Sequence, residues 1–421
     1  MSYQPWPEPD DGDPATARNC PSPAVTGSGS AAPPPPPSPQ VRYYALALVM
    51  VLAGCTGPSW FRLMGPGPSG VTKAFYRMLL TALLQGPLAL FLEGRSCDRP
   101  RARAWARKAA RVMCPVGAAM GLHFACVATS ITSTSFIHSM AFVNTSPLFF
   151  CALVALRCAV SRARRRGAGG AENGFFHPSR SPAPHGLEVL GAALAFGGVV
   201  ALSVLDAGAA TGAGDVPVTA GGDAAGLFAS FFMALYLMGS TRRGDTKLVS
   251  WMFPLHAAAA VATGLLAVAG GATVDAGPAG LFALFASERV FLATLGSVAL
   301  PSFVCHSLAN WLASGGRLSP FLVSVLLCMQ PLTGNVFGYL VGLQGVPSAV
   351  GLACAPLVVA GCVLATVGMQ RQRAKEAAAA AAAAQTAAAA AAAVQALESP
   401  QPPTRLALES PQSHKQTPPN L

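Results

Sequence analysis

The chain has 421 residues, 52% hydrophobic and only 11% charged, with a mean hydropathy of +0.47. A soluble domain carries about 25% charged residues, so the composition excludes an ordinary soluble protein and indicates a membrane protein. The net charge of +11 would suit nucleic acid, but it resides in loops between apolar runs, so the partner it implies is a lipid bilayer.

Residues 1–41 are polar, acidic at first, and end in the proline run Pro33 to Pro37. Such sequence stays extended and builds no core, and it lacks the charged-then-apolar start of a cleavable signal peptide. Ten apolar runs follow: Tyr43–Met64, Val71–Leu92, Val112–Ser130, Ser135–Leu156, Leu187–Leu205, Ala224–Ser240, Leu248–Ala269, Phe291–Leu312, Pro320–Val341 and Ala349–Val367. Most approach the roughly 20 residues that carry a helix across a bilayer core. The expected fold is therefore all-α and polytopic, with ten transmembrane helices. The chain divides into a first unit over 42–206 with a basic insert at 157–186, a second unit over 221–369, and an alanine-rich low-complexity tail over 370–421. Leu281–Ala286 reads as a short interfacial piece or an extension of the eighth helix.

Lysine and arginine set the orientation. Arg95 to Arg111 follow span two, Arg157 to Arg180 span four, Arg242, Arg243 and Lys247 span six, Arg317 span eight, and Arg371 to Lys375 span ten. The opposite side holds only Arg62, Lys73 and Arg289, with Asp206 and Asp215 after span five. Both termini are expected in the cytoplasm.

Two hairpins dominate the middle of each half. Gly121 to Leu156 contains His123, His138, Asn144 and Pro147, separated into two helices at Ile131-Thr132-Ser133-Thr134; Leu300 to Val341 contains His306, Asn310, Gln330, Pro331 and Asn335. His123 precedes Pro147 by 24 residues and His306 precedes Pro331 by 25, and Phe124-Ala125-Cys126 answers Phe303-Val304-Cys305. Several matches in one register indicate a duplicated unit, and an odd number of spans per unit inverts the second copy.

These residues carry a family resemblance. His123-Phe124, Ser130-Ile131, Thr134-Ser135 and Ser146-Pro147-Leu148-Phe149 resemble the third and fourth helices of the EamA repeat of the drug/metabolite transporter superfamily. Cys305-His306-Ser307-Leu308-Ala309-Asn310-Trp311 and Phe75-Tyr76-Arg77-Met78-Leu79-Leu80 are similar to its other helix motifs, and the likeness covers about residues 43–370. It implies two inverted five-helix repeats and a carrier that moves a small organic solute by alternating access. A membrane receptor or scaffold of the same fold is the alternative. Where the family has Gly-Glu after span nine, this chain reads Gly342-Leu343-Gln344-Gly345, and the place after span four holds Arg157.

Hydrocarbon tolerates polar side chains only where protein or a wet pathway satisfies them. The candidate pathway residues are His123, His306, Asn310, Trp311, Gln330, Asn144, Asn335 and Arg77. Inverted halves bring equivalent positions to a shared axis, so His123 and His306 are expected on opposite walls of one cavity. Asn310, four residues on, returns to nearly the same helix face and is expected to line it, with Trp311 on the flank. Any proton dependence is expected to run through histidine, because no Asp or Glu lies centrally in a span.

The remaining motifs have bland readings. The eleven cysteines follow neither disulfide nor zinc spacing and read as small hydrophobes. Gly67-Pro68-Ser69-Gly70 matches an intramembrane serine protease string but falls in a loop. No phosphate loop, paired carboxylates, cofactor motif or metal motif appears, so the chain reads as a non-enzyme. The small-residue stripes Gly117, Gly121 and Gly334, Gly338, Gly342 suit packing inside the bundle better than a homodimer face.

Overall fold

Apolar runs bounded by glycine, proline and basic residues leave the backbone one way to satisfy itself in lipid, namely helix. The computed structural model of the protein describes residues 40–94, 99–166, 184–206, 216–315, 317–343 and 349–398, and among these every regular element is helical. The Pro33–Pro37 run, Arg95, Arg180, Asp215, Gln344 and Gly345, and the repeated Ser-Pro motifs of the tail lie outside the described residues.

The helices are α1 Gln40–Gly54, α2 Gly57–Leu63, α3 Gly70–Gly94, α4 Arg99–Lys108, α5 Cys114–Ser133, α6 Phe136–Val143, α7 Ser146–Arg166 and α8 Gly186–Asp206. They continue as α9 Ala220–Ser240, α10 Leu248–Ala269, α11 Ala283–Ala286, α12 Glu288–Ser297, α13 Ser307–Ala313, α14 Pro320–Leu327, α15 Gln330–Leu340 and α16 Ala349–Glu398. Nine helical stretches among the described residues are long and apolar enough to cross a membrane, and Gly186–Leu202 is a shorter apolar helix. The protein is thus an all-α polytopic membrane protein. Leu83, Leu88, Leu90, Phe91, Leu190, Val261 and Leu265 stand exposed on its flanks, a surface suited to lipid rather than water.

Three stretches are broken in mid-course, and proline explains each break. Cys55-Thr56 separates α1 from α2, Asn144-Thr145 separates α6 from α7, and Cys328-Met329 separates α14 from α15. Pro58, Pro147 and Pro331 each open the following helix, where the missing N–H is harmless. Two stretches loosen instead into π-helix, Ala109–Met113 ahead of α5 and Val298–His306 between α12 and α13. Pro301 lies inside the second. The linker Ile131 to Thr134 is shorter than expected, because α5 runs on to Ser133 and Ser135 caps α6 by accepting from the His138 N–H. Leu281–Ala286 contributes only the short α11. The boundary expected at residue 370 has no counterpart in the backbone, since α16 is one helix of 50 residues. Alanine favours helix, so the tail continues the turn it inherits.

Helix neighbours cross between the sequence halves. α3 lies along α10, α5 against α9, α8 along α16, α7 against α14, and α1 against the Val298–His306 stretch. The α8–α16 pair is antiparallel and tight. A Cβ on Gly191 would come within 2.4 Å of the Ala365 nitrogen, and one on Gly361 within 2.3 Å of the Ala195 nitrogen. Gly368 meets Glu188 and Gly198 meets Val358, while Leu202 clusters with Cys354. Small residues of this kind let helix backbones touch, the main source of helix association in a bilayer. Gly117 and Gly121 do the same for α5, pressed on the backbone of Leu255 and Ala259 in α10. The stripe on α15 differs: a Cβ on Gly334 would make ordinary contact, and Gly342 has open space.

Basic loop residues gather at one end of the bundle. Lys108 donates to the Arg243 carbonyl at 2.8 Å and to Thr246 Oγ1 at 2.7 Å. Arg243 Nε donates to Ser314 Oγ at 2.9 Å, and Lys247 to the Leu92 carbonyl at 3.3 Å. Glu188, near the start of α8, accepts from Ser319 at this same end. The other end is closed by Thr134 Oγ1 donating to Asp223 at 2.9 Å, His138 at 3.6 Å from the same carboxylate, and Arg289 Nε donating to the Leu63 carbonyl at 2.8 Å.

Candidate functional site

The broken helices converge. Gly54, Gly57 and Pro58 from the first break, Val143, Asn144 and Ser146 from the second, Leu327 and Gln330 from the third, and Pro301 and His306 from the π stretch line one cavity of about 50 Å³. α3 adds Arg77, α5 adds His123, Phe124 and Val127, and α9 adds Met233. A space of this size has room for a few water molecules. Two larger hollows lie elsewhere, each also lined by residues of both halves but away from His123, His306 and Arg77. One, about 300 Å³, is at the basic end beside Glu188, Ser319 and Arg373; the other, about 540 Å³, is an apolar outer groove along Leu52, Val336 and Leu340.

Within the central cavity His123 and His306 come together. The rings of His123 and His306 are 6.4 Å apart, with Phe124 edge-on to both, 4.8 Å from His123 and 4.7 Å from His306. The His123 Nδ1 stands 2.8 Å from the Ala229 carbonyl of α9. A carbonyl only accepts, so the neutral ring carries its proton on Nδ1. His306 Nδ1 is buried without a hydrogen-bond partner.

Arg77 is 2% exposed. Its guanidinium lies 4.0 Å over the Phe124 ring, and Nε donates to Ser302 Oγ at 2.8 Å. Nη1 lies 3.7 Å from where a Cβ on Gly57 would stand, and Nη2 has no hydrogen-bond partner. Among the described residues, no acidic side chain lines the cavity. Gln330 reaches in over Gly54, where a Cβ would come within 2.1 Å of the amide nitrogen, so glycine at the first break makes room for the third.

Asn144 also lines the cavity, but its amide is used locally, donating to the Met140 carbonyl at 2.7 Å. The remaining candidates fall elsewhere. Asn310 is wholly buried one turn beyond His306, accepting from Trp251 Nε1 at 2.9 Å and donating to the Tyr236 hydroxyl. It is absent from the cavity wall. Trp311 lies toward the basic end, 5.8 Å edge-on to Tyr43 and 4.1 Å beneath the Arg317 guanidinium. Asn335 opens on the apolar outer groove.

Sequence reading missed Tyr236, Trp251 and Ser302, which support the site from behind. A lone Tyr or Trp in an apolar run gives no signal, because its partner lies on another helix. His256 is buried beside them on α10, with Nδ1 3.0 Å from the Met252 carbonyl and Nε2 unpartnered. Ser69 of the protease-like string accepts from the Thr72 N–H at 3.2 Å, a helix-capping role. Among the described residues, no group of three His, Cys, Asp or Glu is arranged to hold a metal ion.

No family model and no curated protein matches this chain. The fold is similar to that of a solved crystal structure described simply as a protein, with a TM-score of 0.55 and 15% identity, covering 79% of this chain and 99% of that one. At that identity the likeness speaks for the fold alone.

Proposed function

We propose that the protein is an integral membrane transporter that moves a small organic solute by alternating access. It is built as two inverted five-helix repeats of the EamA type, with both termini in the cytoplasm, and it is not an enzyme. The observation that carries this reading is the central cavity, walled by both halves at the level where three helices break and one loosens. Secondary transporters bind cargo at such discontinuous helices near the midplane.

The neighbour pattern supports the repeats. If spans one to five map onto six to ten, the contact of α5 with α9 is the image of the contact of the Val298–His306 stretch with α1. The pairs α3–α10, α7–α14 and α8–α16 are each their own image under that operation. The breaks before Pro147 and Pro331, and the two π stretches, fall in corresponding spans. For α8, the side-by-side run with α16 from Glu188–Gly368 to Leu202–Cys354 supports a tenth crossing.

The test is uptake into proteoliposomes bearing the purified full chain, with a solute panel drawn from metabolites that differ between cells with and without the protein. Saturable uptake of at least one solute, with countertransport, is expected. A protein that binds such a solute but never moves it would be a receptor, and this reading would fail.

A further inference from the structure

We propose that the central cavity recognises its solute by an oxyanion head group, a carboxylate or phosphate, held by Arg77; this rests on the transporter reading and names its substrate class. Arginine is charged at any physiological pH, and a buried charge with no partner is costly to keep. The surroundings of Arg77 account for only part of its fork. Nε is taken by Ser302 and the face by Phe124, whereas Nη2, buried at the cavity wall, has no partner. Planar carboxylates and phosphates are the groups whose oxygens match the free edge of a guanidinium.

The rest of the wall favours the same sign of charge. Ser146 and Gln330, the first residues of α7 and α15, both face the cavity, and helix N-termini carry partial positive charge and unpaired N–H groups. The carbonyl ends that would offset them at the α6–α7 break are engaged by side chains. Ser230 Oγ, with one proton shared between them, lies 2.5 Å from the Phe142 and Val143 carbonyl oxygens, Asn144 Nδ2 donates to Met140, and Cys328 Sγ donates to the Asn144 carbonyl at 3.4 Å. A cationic solute would meet Arg77 with no carboxylate among the described wall residues to hold it. A neutral polyol would leave the guanidinium uncompensated. The cavity volume, about 50 Å³, matches a head group rather than a whole metabolite.

Thermal melting of the purified full chain in detergent tests this, at equal ionic strength, with sodium benzoate, succinate, glycerol phosphate or inorganic phosphate against choline chloride and glucose. Labelled forms of the same solutes serve for proteoliposome uptake. At least one organic anion is expected to raise Tm saturably, with carboxylates and phosphate esters separating the two head groups. Arg77→Gln should weaken that effect at least tenfold, and Arg77→Lys less. Without ligand, Arg77→Gln should melt no lower than wild type, because an unpaired buried charge has gone, whereas a merely structural arginine would leave a less stable protein. Two results overturn the inference while leaving the transporter intact: binding and uptake of choline or glucose but no anion, or anion binding unchanged in Arg77→Gln. The wild-type comparison of charges stands even if a variant fails to fold. Stabilisation by inorganic phosphate alone also overturns it, and absence of uptake for every solute overturns the transporter reading itself.

Discussion

Asn310 illustrates what a register can and cannot tell. A four-residue step keeps the helix face but moves about 6 Å along the axis. From His306 that step leaves the cavity and reaches a layer occupied by Trp251 of α10 and Tyr236 of α9. The face was legible in the sequence; the depth was not, because it depends on helices 59 and 74 residues away. Asn310 is accordingly a structural pin. Asn310→Ala would strand the Trp251 N–H in a dry interior, at a cost of about 2–3 kcal/mol. Melting in detergent should fall accordingly, and a variant of unchanged stability would contradict the assignment. His123 and His306, singled out by their matching distance to Pro147 and Pro331, do line one cavity. The missing partner of Arg77 was not legible, because whether a buried cation is satisfied depends on side chains from every neighbouring helix.

At the scale of elements, hydropathy marked the ten apolar runs, and the structure places a helix in each of them. The breaks before Pro147 and Pro331 were foreshadowed by proline in mid-run, while the break at Cys55-Thr56 went unread although Gly57-Pro58 gave the same signal. Replacing both Pro147 and Pro331 with alanine lets each helix regain its bond and straighten. Transport should drop at least tenfold while detergent stability holds or rises; unimpaired flux would remove the breaks from the mechanism. The α8–α16 contact makes a separate claim. Gly361→Leu would drive a side chain into the Ala195 backbone, forcing the pair apart at a cost of about 2 kcal/mol or more. Gly334→Ala, which meets only ordinary contact, should be nearly silent in the same melting assay.

For the molecule as a whole, the charge asymmetry read from the loops reappears as one basic end, tied together by Lys108, Arg243 and Lys247. Reporter fusions should place residue 170 in the cytoplasm and residue 214 outside. The reverse pattern would invert the topology. Nothing in the local sequence foretold that α5 joins α9 and α1 joins the Val298–His306 stretch, since such exchange is decided by interhelical fit across the bundle. It is this exchange that gives the cavity walls from both halves of the chain.

The cavity can be probed for access from each side, using a solute identified by the uptake screen. Val127 lines the cavity and is 7% exposed. Val127→Cys, reconstituted in sealed vesicles, is treated with a membrane-impermeant maleimide from one side or the other, and the Val127 peptide is followed by mass spectrometry. Alternating access predicts slow labelling from each side, blocked from both by a transported solute. Labelling from one side only, or from neither, would contradict a cavity that opens in turn to the two faces of the membrane.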